Sequence, residues 1–393
     1  MKQRKKRGGV KMIDSIVWKL ESNQFIISDE VAFDGESSKG IKGRFNSTSI
    51  FVSKYAKGRK KQGFYFPHIE IKKNKRDGTI KALEIQVSLP RLDFGSSLFE
   101  VDESRLDPIY GKVIELLREI NIIVSKEELE KAIIKRADFC KNIVIPPYFG
   151  TATQIIRKLD GFNYKQSSGF KYWEKLDNEE GVKINFYNTS QGYVIYDKLL
   201  EINSNGYTTL EGQLKEAMKQ GKLKNNVIRF ELSFHKQATF EACIRKHLKV
   251  KKAHFTLRDI LNNELARNIL LGAFDKVYQP NFIYALTLAE MKENELEEFL
   301  ISKNLSVRDQ AFIQFWVNKA VKIGIQQSLE ELKNRTSPNS YNIYKKKIRQ
   351  TLEEFNKEEL IIGYNSSITG YLREEHRRFI IKNPRTRLLN IVK

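Results

Sequence analysis

Hydrophobic and polar residues alternate through much of the first half of the chain, from Ile13 to about Leu98 and again further on. In 64–72, FYFPHIEIK, Ile69 and Ile71 fall on one side, and His68, Glu70 and Lys72 on the other. In 83–89, LEIQVSL, the polar side is Glu84, Gln86 and Ser88. A period of two puts successive side chains on opposite faces of a strand. A helix is expected over 107–120, and Ser125-x-x-Glu128 is a capping-box signature for another. The run 133–145, IIKRADFCKNIVI, reads as a strand closed by Pro146-Pro147, and 151–159 reads as a helix. Strands at 182–187 and 192–198 flank a short turn at 188–191, and a helix spans about 209–220. The strictest alternation is VIRFELSFH, 227–235. Ile228, Phe230, Leu232 and Phe234 oppose Arg229, Glu231, Ser233 and His235.

Strands with one apolar and one polar side predict an α+β fold: a mostly antiparallel sheet backed by helices, with an open polar face. From about Thr256 the pattern turns helical. Thr256-x-x-Asp259 opens a helix over 257–278, and further helices are expected at 286–301, 307–335 and 340–355. Three regions follow: a basic flexible arm (1–11), a sheet domain (12–250) and a helical, basic C-terminal domain (251–393).

Charge narrows the function. The chain carries 69 Lys+Arg against 48 Asp+Glu, a net +21 spread along its length. That excess favours a polyanionic partner, DNA or RNA first. No apolar run reaches the roughly 18 residues that span a bilayer, so no membrane partner is expected. No apolar h-region follows the basic N-terminus, so it is not read as a secretory signal. Two cysteines make no disulfide framework, and a cytoplasmic location is expected. There is no GxxxxGK[ST] phosphate loop and no metal-ligand spacing among the five histidines.

The candidate chemistry centres on Tyr196, within YVIYDKLLE (193–201). A tyrosine hydroxyl ionises near pH 10, so a nucleophilic Tyr196 needs a metal or a cation such as Lys198 beside it. Glu70, Asp138 and Glu231 all sit in strand-like runs and are candidates to converge near Tyr196 as ligands of Mg²⁺ or Mn²⁺. Arg229 shares the alternation of Glu231 and is suited to hold a flanking phosphate. The plainer role is an ion pair, with Glu231 for Arg229 and with Asp197 or Glu201 for Lys198. Tyr164, Phe170, Tyr172 and Trp173 are interleaved with Lys165, Lys171 and Lys175, a pattern that suits base stacking or, equally, a hairpin at the edge of a core. In NSYNIYKKKIR (339–349), Lys345, Lys346, Lys347 and Arg349 share one expected helix, suited to DNA binding. The tail from Arg373 adds more cations.

Several blocks, in this order, resemble the rolling-circle replication initiators of filamentous phages and related plasmids, the gene II/X replication endonuclease family. They are Met12-Ile13-Asp14; Ile69-Glu70-Ile71-Lys72; Ser88-Leu89-Pro90 with Phe94–Leu98; Ile133–Phe139, carrying Asp138; Tyr196-Asp197-Lys198-Leu199-Leu200-Glu201; and Val227–Leu232, carrying Glu231. The resemblance covers residues 12 to about 235. It implies an origin-specific nicking and strand-joining enzyme with Tyr196 as nucleophile, a 5′-phosphotyrosine intermediate and metal assistance. It also implies origin DNA, a host helicase and a polymerase as partners, and an opening at Met12 that makes 1–11 an extension. Two other readings stay open: a non-enzymatic DNA-binding replication regulator, and a transposase or relaxase with the same tyrosine chemistry. Carboxylates on the polar strand faces favour an enzyme, because a passive DNA binder has little use for them.

Overall fold

The computed structural model describes residues 13–277 with internal gaps at 29–32, 34, 38–46, 53, 75, 146–149, 161–169, 171, 179–180 and 224–225. Beyond these it describes 293–303, 305–323, 325–363, 371–372 and 375. The expected N-terminal arm, Tyr164, Lys165 and most of the basic tail lie outside the described residues.

The fold is α+β. Its centre is an antiparallel sheet of ten strands in the order β3-β4-β5-β6-β1-β8-β12-β11-β10-β9. The strands are β1 (Ile13–Glu21), β3 (Gly35–Ser37), β4 (Ser47–Phe51), β5 (His68–Asn74), β6 (Ile80–Ser88), β8 (Ile133–Ile145), β9 (Tyr172–Asn178), β10 (Gly181–Tyr187), β11 (Gln191–Asp197) and β12 (Asn226–Phe234). A separate two-stranded pair joins β2 (Ile26–Ile27) to β7 (Ile122–Ile123).

The apolar side of each strand builds one continuous core. Ile16, Trp18 and Leu20 of β1 join Ile69, Ile85, Ala137, Phe139, Ile195, Phe230 and Phe234 in it. Helices α3 (Leu106–Arg118), α5 (Ala152–Asp160), α8 (Gln237–Leu248) and α10 (Asn263–Val277) supply the opposing residues, including Val113, Ile155, Phe240 and Phe274. The core thus runs on to Val277, and Leu372 also joins it. Phe170, one of the expected stacking aromatics, lies in this core, 6.4 Å from the buried ring of Tyr193.

The polar side is not open along its whole width. Helices α6 (Lys198–Asn205) and α7 (Thr209–Lys219) fold over one end of it, where Leu98, Leu199, Ile202, Leu214 and Val227 form a second small core. Glu211 locks that arrangement. Its side chain has no exposed surface, accepts from the backbone N–H groups of Ser97 (3.3 Å) and Tyr207 (3.1 Å), and pairs with Arg91 (3.0 Å).

Most expected elements form within a few residues of the positions read from sequence. Differences cluster where chain direction changes. The strand expected over 192–198 ends at Asp197, whose carboxylate caps α6 by accepting from the N–H groups of Leu199 (3.0 Å) and Leu200 (3.1 Å). Lys198 is therefore the first residue of a helix. Helix α1 (Lys54–Lys61) interrupts the strand-like region. The helix expected over 257–278 is broken into α9 (Leu257–Ile260) and α10, with Asn262 Oδ1 accepting from Leu265 N–H (3.1 Å) at the new start. Further on, α11 (Glu293–Ser302), α12 (Val307–Ile323), α13 (Ile325–Arg335) and α14 (Pro338–Gly363) form the helical part, with Phe299, Leu300, Ile313 and Val317 packed together.

Breaking a buried ion pair from one side leaves a charge without its partner, which costs roughly 3–5 kcal/mol. Glu211→Ala is expected to cost about that much in urea unfolding, because Arg91 and two backbone N–H groups lose their acceptor. Glu216→Ala, in an exposed pair with Lys219, is expected to leave the midpoint nearly unchanged.

Candidate active site

The register of the central strands assembles the site. Tyr196 on β11 lies opposite Arg229 on β12, and Val194 lies opposite Glu231. Glu231 in turn faces Cys140, and Ser233 faces Asp138 on β8. Diagonal neighbours across a strand pair are within reach of long side chains. Tyr196 Oη accordingly donates to Glu231 Oε2 at 3.1 Å. Tyr193 is three residues away and on the other face, wholly buried, so only Tyr196 reaches the polar side.

Arg229 is the hub. Its guanidinium has no exposed surface. It pairs with Asp14 at 2.9 Å and with Glu231 at 3.2 Å, and donates from Nη1 to the Ser97 carbonyl at 2.8 Å. Asp14 was not among the residues expected here. It reaches the site because β1 carries a register irregularity between Ile13 and Ser15, opposite Phe139 and Asp138. A bulge turns two consecutive residues toward one face. Ser15 Oγ then donates to Asp138 Oδ2, while Asp14 Oδ1 accepts from Ser88 Oγ at 3.4 Å. Arg136 lies 3.5 Å from Asp138 Oδ2. Asp138 Oδ1 is buried and accepts no hydrogen bond.

The charges of this cluster are unequally balanced. Burial raises Asp14, but the cations of Arg229, Lys198 and Arg91 together outweigh it and hold the carboxyl below its ordinary value. Glu231 goes the other way: burial, reinforced by the charges of Asp14 and Asp138, raises it despite Arg229. Asp138 is raised by burial, with Asp14 adding to the effect, against Arg136 and Ser15. Burial lifts the Tyr196 hydroxyl well above 10, so the phenol holds its proton and directs it at a carboxylate that binds protons readily. Lys198 is buried and lowered by that burial and by Arg229. Its Nζ pairs with Glu201 at 2.6 Å and lies 5.6 Å from the centroid of the Tyr196 ring.

Of the candidates read from sequence, Tyr196, Lys198, Arg229, Glu231 and Asp138 are brought into one cluster. Glu70 is not. It has the expected face of β5, but β6 and β1 separate that strand from β8, about 14 Å of sheet. There it pairs with Lys72 at 2.7 Å. Arg229 serves the carboxylates from a buried position, with no surface turned outward to a phosphate. Among the described residues, no three His, Cys, Asp or Glu side chains form a ready-made cation site.

The basic residues of α14 lie elsewhere. Lys345 and Lys346 are exposed, whereas Lys347 pairs with Asp309 of α12 at 2.5 Å. The side chain of Arg349 lies outside the described residues. No described helix is long and apolar enough to cross a membrane.

Each released phosphate counterion changes the log–log salt slope of duplex binding by about 0.9. On the reading that the chain binds duplex DNA, Lys345→Ala and Lys346→Ala are each expected to flatten its salt slope by about that amount in fluorescence titrations. Lys347→Ala is expected to change the slope less and to lower thermal stability, since its charge holds α14 to α12.

No protein-family model matches the chain, and neither the curated proteins nor the solved structures contain a significant match.

Proposed function

We propose that the protein is a DNA-nicking and strand-joining enzyme of the rolling-circle initiator type, with Tyr196 as its nucleophile. The observation that carries this reading is the 3.1 Å hydrogen bond from the Tyr196 hydroxyl to Glu231, on a sheet face where Arg229 holds Glu231 and Asp14 together. The resemblance of the sequence blocks to the phage and plasmid initiators supports it, as does the net charge of +21.

In the proposed reaction, Tyr196 Oη attacks a DNA phosphorus as its proton passes to Glu231. The bond from phosphorus to the 3′ oxygen breaks, and a phosphotyrosyl ester to the 5′ end forms. The 3′ oxygen leaves and takes up a proton, giving a hydroxyl that a polymerase can extend. Reversal of the same steps rejoins the strand without a nucleotide, because the phosphotyrosyl ester keeps the energy of the diester. Lys198, next to the ring, offsets negative charge on the phenolate and on the phosphate. Burial and Arg229 lower its hold on a proton, and an arriving phosphate would favour the charged form.

Oxygen donors of the kind a hard divalent cation takes are present here, although among the described residues no three of them stand as a ready-made site and Arg229 engages two of them. Asp138 brings an oxygen with no hydrogen bond, and Glu231 and Asp14 lie close enough to influence its charge. Asp138 and Glu231, with Asp14 in the place expected for Glu70, would hold Mg²⁺ or Mn²⁺. The ion would neutralise and polarise the scissile phosphate.

Tyr196→Phe is expected to abolish nicking of supercoiled origin DNA and the covalent protein–DNA adduct. It should leave DNA binding intact and cost about 1 kcal/mol of stability for the lost hydrogen bond. Nicking at the normal rate by Tyr196→Phe would remove the nucleophile assignment. Origin binding by the wild-type protein with no nicking under any divalent cation would favour the non-enzymatic regulator.

Cation binding is also expected to release protons. The Glu231 and Asp138 carboxyls hold theirs above the ordinary values of 4.5 and 3.8. Binding should therefore tighten as pH rises through the range above those values. Titrating Mn²⁺ into the DNA-free protein, followed by electron paramagnetic resonance, should show that rise. Asp138→Asn and Glu231→Gln should weaken binding, and Glu70→Gln should not.

A further inference from the structure

A cavity of about 380 Å³ is lined by none of the cluster residues, and the reaction above makes no use of it. Its walls come from four segments: the end of α1 with Phe64 and Tyr65, helix α2 (Leu89–Phe94), α3, and the start of α7. Its volume lies in the range that accepts small organic groups.

The lining combines aromatic rings with cations. The Arg59 guanidinium lies 5.0 Å from the centroid of Phe64, a ring that keeps 53% of its surface exposed. Arg91, which lines the cavity, has Cζ 5.5 Å from the centroid of Tyr207, and Lys60 Nζ, outside the lining, lies 4.7 Å from the same ring. Helix α1, KYAKGRKK, brings five cations and no acid, and Lys57, Lys60 and Lys61 are exposed. Two acids at the end of α3 also line the cavity: Glu119, engaged by the Tyr55 hydroxyl (2.6 Å) and by Arg59 (3.7 Å), and the exposed Glu115. Aromatic faces set beside a row of cations are how proteins hold unpaired bases and the phosphates between them.

Two chains of contacts lead from this cleft to the site. Tyr65 Oη accepts from Ser88 N–H at 2.6 Å, and Ser88 Oγ reaches Asp14. Arg91 pairs with Glu211 and lies 3.8 Å from Glu201, which holds Lys198 beside Tyr196.

We propose that this cleft binds single-stranded DNA, with a base stacked on Phe64 and the backbone running along α1 toward Tyr196. The direction of the strand rests on the catalytic reading; the binding site does not. Phe64 supplies stacking, which every base satisfies. Lys57, Lys60 and Lys61 supply phosphate contacts, which no base identity alters.

The test is fluorescence anisotropy of the full chain in EDTA, which stops metal-assisted cleavage. The probes are a labelled oligothymidylate and an abasic strand of equal length. Phe64→Ala is expected to weaken oligothymidylate binding about tenfold and to leave abasic binding unchanged. Phe64→Trp should retain the affinity, which guards against a folding defect in the alanine variant. Lys57→Ala and Lys61→Ala should each reduce the log–log salt slope by about 0.7, and equally for both strands. Oligothymidylate binding that is unchanged in a folded Phe64→Ala protein overturns the proposal, as does equal wild-type affinity for the two strands. Either result leaves nicking by Tyr196 untouched. Conversely, a wild-type protein that fails to nick but shows these binding losses loses the catalytic reading and keeps the cleft.

Discussion

A guanidinium with no surface in water must be compensated inside the protein, and Arg229 meets that demand with two carboxylates and a main-chain carbonyl. Asp14, Glu231 and the Ser97 carbonyl come from three different segments, so satisfying one side chain fixes β1, β12 and the loop before α3 against one another. Taking one partner away would leave charge uncompensated where solvent cannot reach it. In the proposed reaction the same arrangement would set the chemistry. Arg229 holds the Glu231 carboxylate within 3.1 Å of the Tyr196 hydroxyl, and burial makes that hydroxyl keep its proton while making Glu231 ready to take it.

The part legible in the sequence was the part where one strand face is buried. From Ile228 onward VIRFELSFH alternates because Phe230 and Phe234 pack against α8 and α10 while Arg229 and Glu231 face the other side, and only Val227 departs, packing under α6 and α7. The same rule separated Tyr196 from Tyr193, only three residues away. What alternation could not carry was strand order. Glu70 has the correct face and still lies far from the cluster, because two strands pair between β5 and β8. Nor could it carry a bulge. The irregularity between Ile13 and Ser15 breaks the period of two, which is why Asp14 was missed as a member of the site. Lys198 was read as a strand residue although Asp197 before Leu199 and Leu200 is a good helix N-cap signal. Helix α1 escaped because KYAKGRKK is polar nearly all round and leaves no apolar period to read.

Placed this way, the positive charge of the chain has local meanings. Arg229 and Lys198 are internal and act on the tyrosine and its carboxylates. Arg91 links Glu211, which holds α7 in place, to the edge of the cluster through Glu201. Lys57, Lys60 and Lys61 on α1, and Lys345 and Lys346 on α14, remain at the surface, where on the proposed reading they would attract a polyanion at long range.

The most direct test is chemical mapping of the covalent link. A single-stranded origin oligonucleotide with sulfur in place of the bridging 3′ oxygen at the nick releases a thiol that rejoins poorly, so the adduct accumulates. Nuclease and trypsin digestion then leaves the nucleotide on one peptide. The segment from Ile184 to Lys198 contains three tyrosines, Tyr187, Tyr193 and Tyr196. Fragmentation by mass spectrometry is expected to put the phosphate on Tyr196 alone. A phosphate on Tyr193, on Tyr187 or on any residue outside this peptide would contradict the account, and so would cleavage that leaves no protein attached to the DNA.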